Sequence, residues 1–376
     1  MTEAHDPQRR RLLVGLAASP LLLLCGATSA TSAPRTLTLT LTGQALIAHD
    51  LCAEDYPGLA DVIAEIRRGD AAMTDLETAI RTAASGAPTR EGVFLHQAGM
   101  AELRCVREMG FDALALANNH AGDFGREGVL ATRQAAHDTG FHTAGSGGNL
   151  AEASHATRFM VAGQPVALVA MAAGKIRAGA ATATLPGINE LRLDGASQPD
   201  AEDVARIHAS IRAAADSSRV IAYLHNHDWG DDLRVTREWT RQFAKSCVDA
   251  GASAFFAHGA PLLHGIELHR GAPIFYCLGS LIFHSRTPPG HYLPEVWESA
   301  IAHLHYRDGQ LRQLELVPVV LNERGDDAAR QNETRGRPRI ATGGDAQRIL
   351  TRLQALSGAF GTSLRIARAR GWIEVG

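Results

Sequence analysis

The chain is poor in aromatic residues and shows no excess of either charge. Aromatic side chains make up 5% of the 376 residues, and the formal net charge is −3. No long basic block follows the first residues, which argues against nucleic acid as a partner. Hydrophobic residues make up 45% of the chain and there are 37 glycines. This composition favours a compact globular α/β enzyme and does not favour disorder over most of the chain.

Cysteine is also scarce. Beyond residue 33 the chain has Cys52, Cys105, Cys247 and Cys277, and no two of them have CxxC spacing. This spacing argues against a zinc site built from cysteines. An oxidising compartment would allow one disulfide, but the sequence does not say which two cysteines would form it.

No apolar run near the N-terminus is long enough to span a bilayer. Leu12–Leu24 is apolar but short, it follows Arg9–Arg11, and small residues continue to Ala33. We interpret residues 1–33 as an export signal that resembles a twin-arginine signal, with an ordinary secretory signal as the alternative. The predicted location is the periplasm or the cell exterior.

The most informative stretch is Leu114–Gly125, LALANNHAGDFG. Its Asn-Asn-His run directly follows a short apolar segment, and Gly122 and Gly125 supply turn chemistry. In open α/β sheets, ligands gather at the carboxyl ends of the strands. We therefore expect Asn119 and His120 to lie at a functional site.

Three other apolar runs end in the same kinds of residue: MTDLE at Met73–Glu77, VIAYLHNHDWGDD at Val220–Asp232, and AFFAHGAP at Ala254–Pro261. Carboxylate, amide and imidazole groups together suit Zn, Mn or Fe better than Ca or Mg. The four segments therefore predict one divalent metal site.

The second segment contains two histidines, and the sequence does not assign both. His225 lies closest to the apolar run, so we expect it to reach the metal. His227 either binds the metal or hydrogen-bonds nearby backbone. Asp228, Trp229 and Asp232 either line the pocket or belong to a solvated loop.

The order of elements predicts one mixed-sheet α/β domain. TLTLTLT at 36–42 alternates like a strand, helical and strand-like segments then alternate to about residue 280, and further strands follow. We expect this domain to cover 34–320. A mobile loop rich in Arg, Asp, Asn and Gly is predicted at 321–344, and a C-terminal helical segment at 345–376.

Several segments, taken in order, resemble the poly-γ-glutamate capsule-synthesis (CapA-type) family. They are TGQALIAHDL, TDLETAI, LANNHAGDFGREGV, PGINELR, LHNHDWGDD and AHGAPLLHGIELHRGAPIFYCLGSLIF. The resemblance covers roughly 36–320. It implies the calcineurin-like metallophosphoesterase fold, an αββα sandwich of two packed mixed β-sheets flanked by helices.

The resemblance also implies roles for individual residues, carried over position by position. The implied metal ligands are Asp75 or Glu77, Asn119, His225 and His258. His120 is the implied general acid, because an imidazole with a pKa near its ordinary value of roughly 6.5 can protonate a leaving group. Its alternative role is to brace the loop, and Asn118 and Asp123 are expected to hold the turn.

The chain departs from the family pattern at two ligand positions. Gly43 is followed by Gln44 where the family commonly has Asp, and Pro261 stands where the family commonly has a second imidazole. Both changes affect the same metal of the two-metal fold. We therefore expect a single-metal centre, or a second metal held weakly by Gln44 and His49.

These expectations lead to a functional hypothesis with two alternatives. The first is an exported hydrolase that uses Mn, Zn or Fe on amide bonds of poly-γ-glutamate or a related anionic cell-envelope polymer, with Gln44 or His49 orienting the substrate. The second is a metal-dependent peptide epimerase. The third is a non-enzymatic polymer-binding or assembly component of a capsule-synthesis complex.

Overall fold

The computed structural model describes residues 35–54 and 56–375. The export signal predicted over 1–33 therefore lies outside the described residues. Among the described residues, no helix has the length and apolar character needed to cross a membrane.

The strands of the two large sheets alternate with helices through the first two thirds of the chain. These strands are β1 (Thr36–Leu41), β2 (Ala71–Asp75), β3 (Ala113–Ala115), β4 (His142–Ala144), β5 (Thr157–Val161), β6 (Gln164–Ala173), β7 (Arg219–Asn226), β8 (Ala252–His258), β9 (Ile266–His269), β10 (Ala272–Phe275), β11 (Glu298–Arg307), β12 (Gln310–Leu321), β13 (Pro338–Ile340), β14 (Arg365–Ala367) and β15 (Arg370–Glu374). Short paired strands lie at Ala45–Leu46, Ala79–Ile80, Gln97–Ala98, Ser146–Gly147, Gly187–Ile188 and Ile282–Phe283.

The helices are α1 (Leu59–Ile66), α2 (Met100–Glu108), α3 (Gly125–Asp138), α4 (Leu150–Ala153), α5 (Ala201–Ala215), α6 (Glu238–Asp249), α7 (Gln331–Thr334) and α8 (Gly343–Gly358). Single 3-10 turns lie at Arg177–Gly179, Pro294–Trp297 and Ala328–Arg330. Asp200 caps α5 by accepting hydrogen bonds from two backbone N–H groups of its first turn.

Within the described residues the first sheet runs in the order β14-β15-β12-β11-β1-β2-β3-β4, with β13 beside β12. The second sheet runs β9-β10-β8-β7-β6-β5. In the first sheet β1, β2 and β3 are parallel neighbours, and in the second β6, β7 and β8 are parallel neighbours. Each sheet is therefore mixed and has a parallel half.

Alternation along β1 shows how the sequence builds the core. Leu37, Leu39 and Leu41 enter the hydrophobic cluster between the sheets, where residues such as Leu168 and Ile221 of the second sheet meet them. The intervening threonines point to the opposite face, because side chains alternate along a strand.

Helices cover the outer faces. Helices α1, α2 and α3 contribute buried residues to the cluster on the outer side of the first sheet. Helices α5 and α6 do the same on the second sheet. Helix α8 contributes Ile349, Leu350 and Leu353 to the cluster between the sheets. This is the αββα arrangement that the family resemblance implies.

The C-terminal third can be compared with its predicted boundaries. The segment 321–344, predicted to be a mobile loop, contains α7 and β13. The predicted helical segment corresponds to α8, which is followed by the β14–β15 hairpin. The division of the chain into domains stays a prediction.

A disulfide joins Cys52, in the loop before α1, to Cys105 in α2, and 53 residues separate the two. Cys247 and Cys277 are buried free thiols. The sequence allowed one disulfide without naming the pair, and the tertiary structure brings these two cysteines together.

Candidate metal centre

Five buried side chains from both sheets meet at the carboxyl ends of parallel strands. They are Asp75, Glu77, Asn119, His225 and His258, which we call the metal cluster. Asp75 ends β2, His225 lies in β7, and His258 ends β8, where it is paired with His225 in register. Glu77, His225 and His258 each offer a ligand atom within 4.8 Å of the other two. The structure thus brings together all the metal-ligand candidates that the sequence named.

His225 lies at the centre of the cluster and is fully buried. Its Nδ1 is 3.0 Å from Asp75 Oδ2, and its Nε2 is 2.7 Å from Asn119 Oδ1. Both oxygens can accept a hydrogen bond, so each nitrogen of the ring has a partner. Burial lowers the pKa of His225, but the carboxylates of Glu77 and Asp75 raise it by more, so the net shift of this pKa is upward.

Glu77 is a buried carboxylate with no hydrogen bond to any residue in the described ranges. Its Oε1 lies 3.6 Å from His225 Nε2 and 3.9 Å from His120 Nε2. Burial raises the pKa of Glu77 to about 7, against the opposing effect of the two imidazoles. Near neutral pH this carboxyl group therefore still holds part of a proton.

His258 adds a second buried imidazole to the cluster. It is 2% exposed, and its Nδ1 has no hydrogen-bond partner among the described residues. Its Nε2 lies 3.5 Å from the hydroxyl of Ser280. Burial and the neighbouring charge on His225 hold the pKa of His258 well below its ordinary value, so the imidazole is neutral.

These side chains fit a single divalent cation. His225 Nε2 lies 2.7 Å from Asn119 Oδ1 and 3.6 Å from Glu77 Oε1, and a ligand atom of His258 lies within 4.8 Å of those of Glu77 and His225. Two oxygens and two imidazole nitrogens form a donor set that suits Zn, Mn or Fe. In the described part of the chain, no arginine or lysine lies within salt-bridge distance of Asp75 or Glu77.

Asp75 has a different set of contacts from Glu77. One carboxylate oxygen accepts from His225 Nδ1, and the other accepts from Asn118 Nδ2 at 3.2 Å. A carboxylate that orients a ligating histidine in this way is common at metal sites. The geometry therefore favours Glu77 over Asp75 as the direct ligand.

His120 lies beside the cluster in a chain of hydrogen bonds. Its Nδ1 is 2.8 Å from Asp123 Oδ2, and Asp123 Oδ1 lies 2.6 Å from Arg90 Nη2. Because Asp123 accepts the Nδ1 proton, His120 Nε2 faces Glu77. Burial opposes ionisation of Asp123, but hydrogen bonds from His120 and Arg90 lower its pKa.

Asn118 and Asp123 were predicted to hold the turn, and both do form bonds within it. Asn118 Oδ1 accepts from the backbone N–H of His120 at 3.1 Å. Asp123 also accepts from the backbone N–H of His96. The orientation of His120 by Asp123 was missed, although the i, i+3 spacing in a turn was a signal that could have suggested it.

Gln44 and His49 were predicted to act at the site, and only Gln44 is linked to the cluster by hydrogen bonds. Gln44 Nε2 donates to Ser280 Oγ at 3.3 Å, and that hydroxyl also contacts His258. His49 packs against His284, with ring centroids 5.3 Å apart. Within residues 35–54 and 56–375, no hydrogen bond joins His49 to the cluster.

The 227–232 segment lies beside the cluster. His227 stacks on Trp229 at 4.1 Å, and burial with the neighbouring charge on His225 lowers the pKa of His227 to about 3. Asp228 binds Arg237 at 3.4 Å. Asp232 accepts a hydrogen bond from the backbone of Arg234, so its carboxylate stabilises the loop.

His264 does not replace the second imidazole of the family pattern, whose position is occupied by Pro261 in this chain. His264 Nδ1 lies 3.0 Å from Thr236 Oγ1, and His264 Nε2 lies 2.9 Å from the carbonyl of Leu233. Both nitrogens are therefore already engaged. This arrangement is consistent with one cation site rather than two.

A family model described as "Bacterial capsule synthesis protein PGA_cap" matches residues 38–285, which include every member of the metal cluster. The chain belongs to this family. The resemblance identified from the motifs is confirmed, and so is the metallophosphoesterase-like fold of PGA_cap proteins.

Relatives of this PGA_cap chain differ in how much of it they match. An uncharacterized protein of Sinorhizobium fredii, y4sH, is 26% identical over 92% of this chain and 95% of its own length. The capsule biosynthesis protein CapA of Bacillus anthracis is 27% identical over 59% of this chain and 50% of its own length. A probable polyglutamine synthesis accessory protein of Mycobacterium tuberculosis is 27% identical over 74% of this chain and 73% of its own length.

Proposed function

We propose that this PGA_cap protein is an exported, metal-dependent hydrolase that cleaves amide bonds in a γ-linked glutamate polymer or a related anionic cell-envelope polymer. The observation that carries the proposal is the metal cluster, in which buried carboxylate, amide and imidazole groups converge without a fixed positive side chain. The names of the Bacillus and Mycobacterium relatives support a role in capsule polymer synthesis.

We assign the cation to Glu77, Asn119, His225 and His258, with Asp75 orienting His225. A divalent cation in this position supplies Lewis-acid polarisation of a carbonyl group and lowers the pKa of water. Asp75 holds His225 in one orientation through the Nδ1 hydrogen bond.

His120 is the proposed general acid for the leaving nitrogen. Its Nε2 faces the cluster while Asp123 holds Nδ1, and its side chain is 13% exposed, more than that of Glu77 or His225. A partly accessible imidazole at the edge of a buried cluster can exchange protons with a substrate and with water. General acid catalysis of this kind contributes typically 10²–10⁴-fold to a rate.

Export to the periplasm or the cell exterior forms part of the proposal. The basic and apolar N-terminal sequence supports it. The Cys52–Cys105 bond gives separate support, because disulfides persist mainly in oxidising compartments.

The direct test is an assay of the purified mature chain with Mn, Zn or Fe on γ-linked glutamate oligomers and on peptidoglycan fragments. We expect release of new amino groups that requires the metal and is lost in His225→Ala. No release with any of these metals and substrates would contradict the hydrolase.

One observation favours the second candidate, a non-enzymatic assembly component. The residues of the metal cluster are between 0% and 6% exposed, so the cluster itself offers little surface to a polymer. The relative named as an accessory protein is compatible with this reading. A His225→Ala chain that still supports polymer synthesis in cells as well as the unmodified chain would favour it.

A further inference from the structure

Ser280 lies behind the metal cluster and has no assigned role. The residue is fully buried, and its hydroxyl lies 3.5 Å from His258 Nε2. The same oxygen accepts a hydrogen bond from Gln44 Nε2 at 3.3 Å. Ser280 is therefore the link between Gln44 and a candidate metal ligand.

The backbone holds this link rigidly. The N–H groups of Leu281 and Ile282 both donate to the carbonyl of Gln44, at 2.9 and 3.2 Å. The segment that contains Gln44 crosses the segment that contains Ser280 at Gly43 and Gly279. A Cβ at Gly43 would lie only 1.4 Å from the carbonyl oxygen of Gly279, so no larger residue fits there. Gln44 and Ser280 are thus fixed side by side before any ligand arrives.

The two nitrogens of His258 have different surroundings. Nε2 faces the Ser280 hydroxyl, whereas Nδ1 is buried and has no partner in the described part of the chain. A neutral imidazole carries one proton, and the nitrogen without it is the one that binds a metal. At metal sites the other ring nitrogen usually donates its proton to a neighbouring acceptor.

We propose that Ser280 is a positioning residue: its oxygen accepts the Nε2 proton of His258 and so leaves Nδ1 free to bind the cation. Gln44, which replaces the acidic residue common in the family, supports Ser280 rather than binding metal itself. This inference rests on the proposed metal site and deepens it.

The chain offers a matched control. Ser299 is also fully buried, and its hydroxyl donates to the carbonyl of Leu278 at 2.8 Å, two residues from Ser280. Ser299→Ala therefore removes a buried hydroxyl from the same region without touching His258. Ser280→Thr keeps a hydroxyl at the site and serves as the conservative variant.

The first measurement is the Co²⁺ affinity of the mature protein, titrated with the metal alone and followed by visible absorption. We expect Ser280→Ala to weaken binding about 10–100-fold, as loss of such partners typically does. Ser280→Thr should bind Co²⁺ about as tightly as the unmodified chain, because it retains the hydroxyl. Ser299→Ala should leave the affinity unchanged. Equal affinities for Ser280→Ala and Ser299→Ala would overturn the proposal.

The second measurement needs no metal. ¹⁵N NMR of the metal-free protein can locate the ring proton of His258, with the His258 signals assigned by comparison with His258→Gln. In the unmodified chain we expect the proton on Nε2 of His258. In Ser280→Ala we expect a mixture of the two tautomers of His258. A proton on Nδ1 in the unmodified chain would overturn the positioning role. If this tautomer is as expected but no Co²⁺ binds, the metal proposal fails while the positioning of His258 stands.

Discussion

Two regions of this protein bury histidines against carboxylates, and their charges are balanced differently. One is the metal cluster. The other, which we call the arginine-bridged cluster, lies on the first sheet and contains Glu65, Arg68, His303, His305, Glu315 and Arg370. There Glu315 contacts both Arg68 and Arg370 at 2.8 Å, and Glu65 also pairs with both arginines.

The difference separates a structural network from a candidate site. In the arginine-bridged cluster, each carboxylate already has a permanent positive partner. In the metal cluster, the salt-bridge partners of Asp75 and Glu77 among the described residues are imidazoles, which are charged only when they are protonated. Burying a charge without a partner costs free energy, and in the proposed metal site a divalent cation would supply that partner.

The largest expected effect falls on turnover. We expect His120→Asn to lower hydrolysis of a γ-linked glutamate oligomer by about 10²–10⁴-fold, because the general acid is lost. Co²⁺ affinity should stay close to that of the unmodified chain, since His120 is not among the assigned ligands. Steady-state rates and a metal titration on the same sample provide the check, and a parallel loss of both would argue that His120 holds the metal.

Replacing a histidine should lower metal affinity in the metal cluster but not in the arginine-bridged cluster. His225→Ala removes a central ligand and should lower Zn²⁺ affinity by more than about 100-fold, a loss larger than that for an outer-shell partner. The control is His303→Ala, which removes an equally buried imidazole from the arginine-bridged cluster. Competition titration with a chelating dye measures both, and a similar loss in the two variants would remove the distinction between the clusters.

The raised pKa of Glu77 predicts that metal affinity depends on pH. Burial raises its pKa to about 7, so below that pH a proton competes with the cation for the carboxylate. Affinity should therefore fall as the pH decreases below 7, and the Glu77 carboxyl group should contribute up to about a tenfold loss for each pH unit. In Glu77→Gln the absolute affinity should be lower and this dependence weaker. An unchanged slope in the variant would assign the proton to another group.

The smallest effect on function is expected from the arginine-bridged cluster. Burial would raise the pKa of Glu315, but hydrogen bonds from His305 and Arg68 and the charges of the arginines lower it to about 2. Its stabilising effect is therefore complete above the unfolded pKa of roughly 4.3 and is lost as the pH falls towards 2.

Glu315→Gln should lower the free energy of unfolding by about 1–2 kcal/mol at pH 7 and flatten its fall below pH 4. Urea unfolding at several pH values measures this, with Zn²⁺ affinity as the control that should not change. A loss of Zn²⁺ affinity would mean that the two clusters are coupled.

Much of the site could be predicted from local sequence. Each apolar run that ends in an Asp, Asn or His residue is a strand whose carboxyl end lies at the site, because side chains just beyond parallel strands meet at one edge of a sheet. This reasoning pointed to Asn119 and His225, and the family resemblance named His258 as well. It could not choose between Asp75 and Glu77, because that choice depends on which carboxylate His225 Nδ1 reaches.

The spatial neighbours of Ser280 and His49 could not be predicted from the local sequence. Ser280 follows a glycine after an apolar run and looks like an ordinary turn residue, but 236 positions separate it from its partner Gln44. His49 is only five residues from Gln44, yet it turns towards His284. Nearness in sequence did not predict nearness in space at either position.

By itself the sequence determined the alternating strands, the residue types at the strand ends and the membership of the PGA_cap family, because periodicity and short motifs are local properties. Only the tertiary structure decided which cysteines pair, which carboxylate contacts His225 Nδ1 and which nitrogen of His258 lies beside a hydroxyl group. Those outcomes depend on distances between segments brought together by the packing of two sheets, and such distances are not encoded within any single segment.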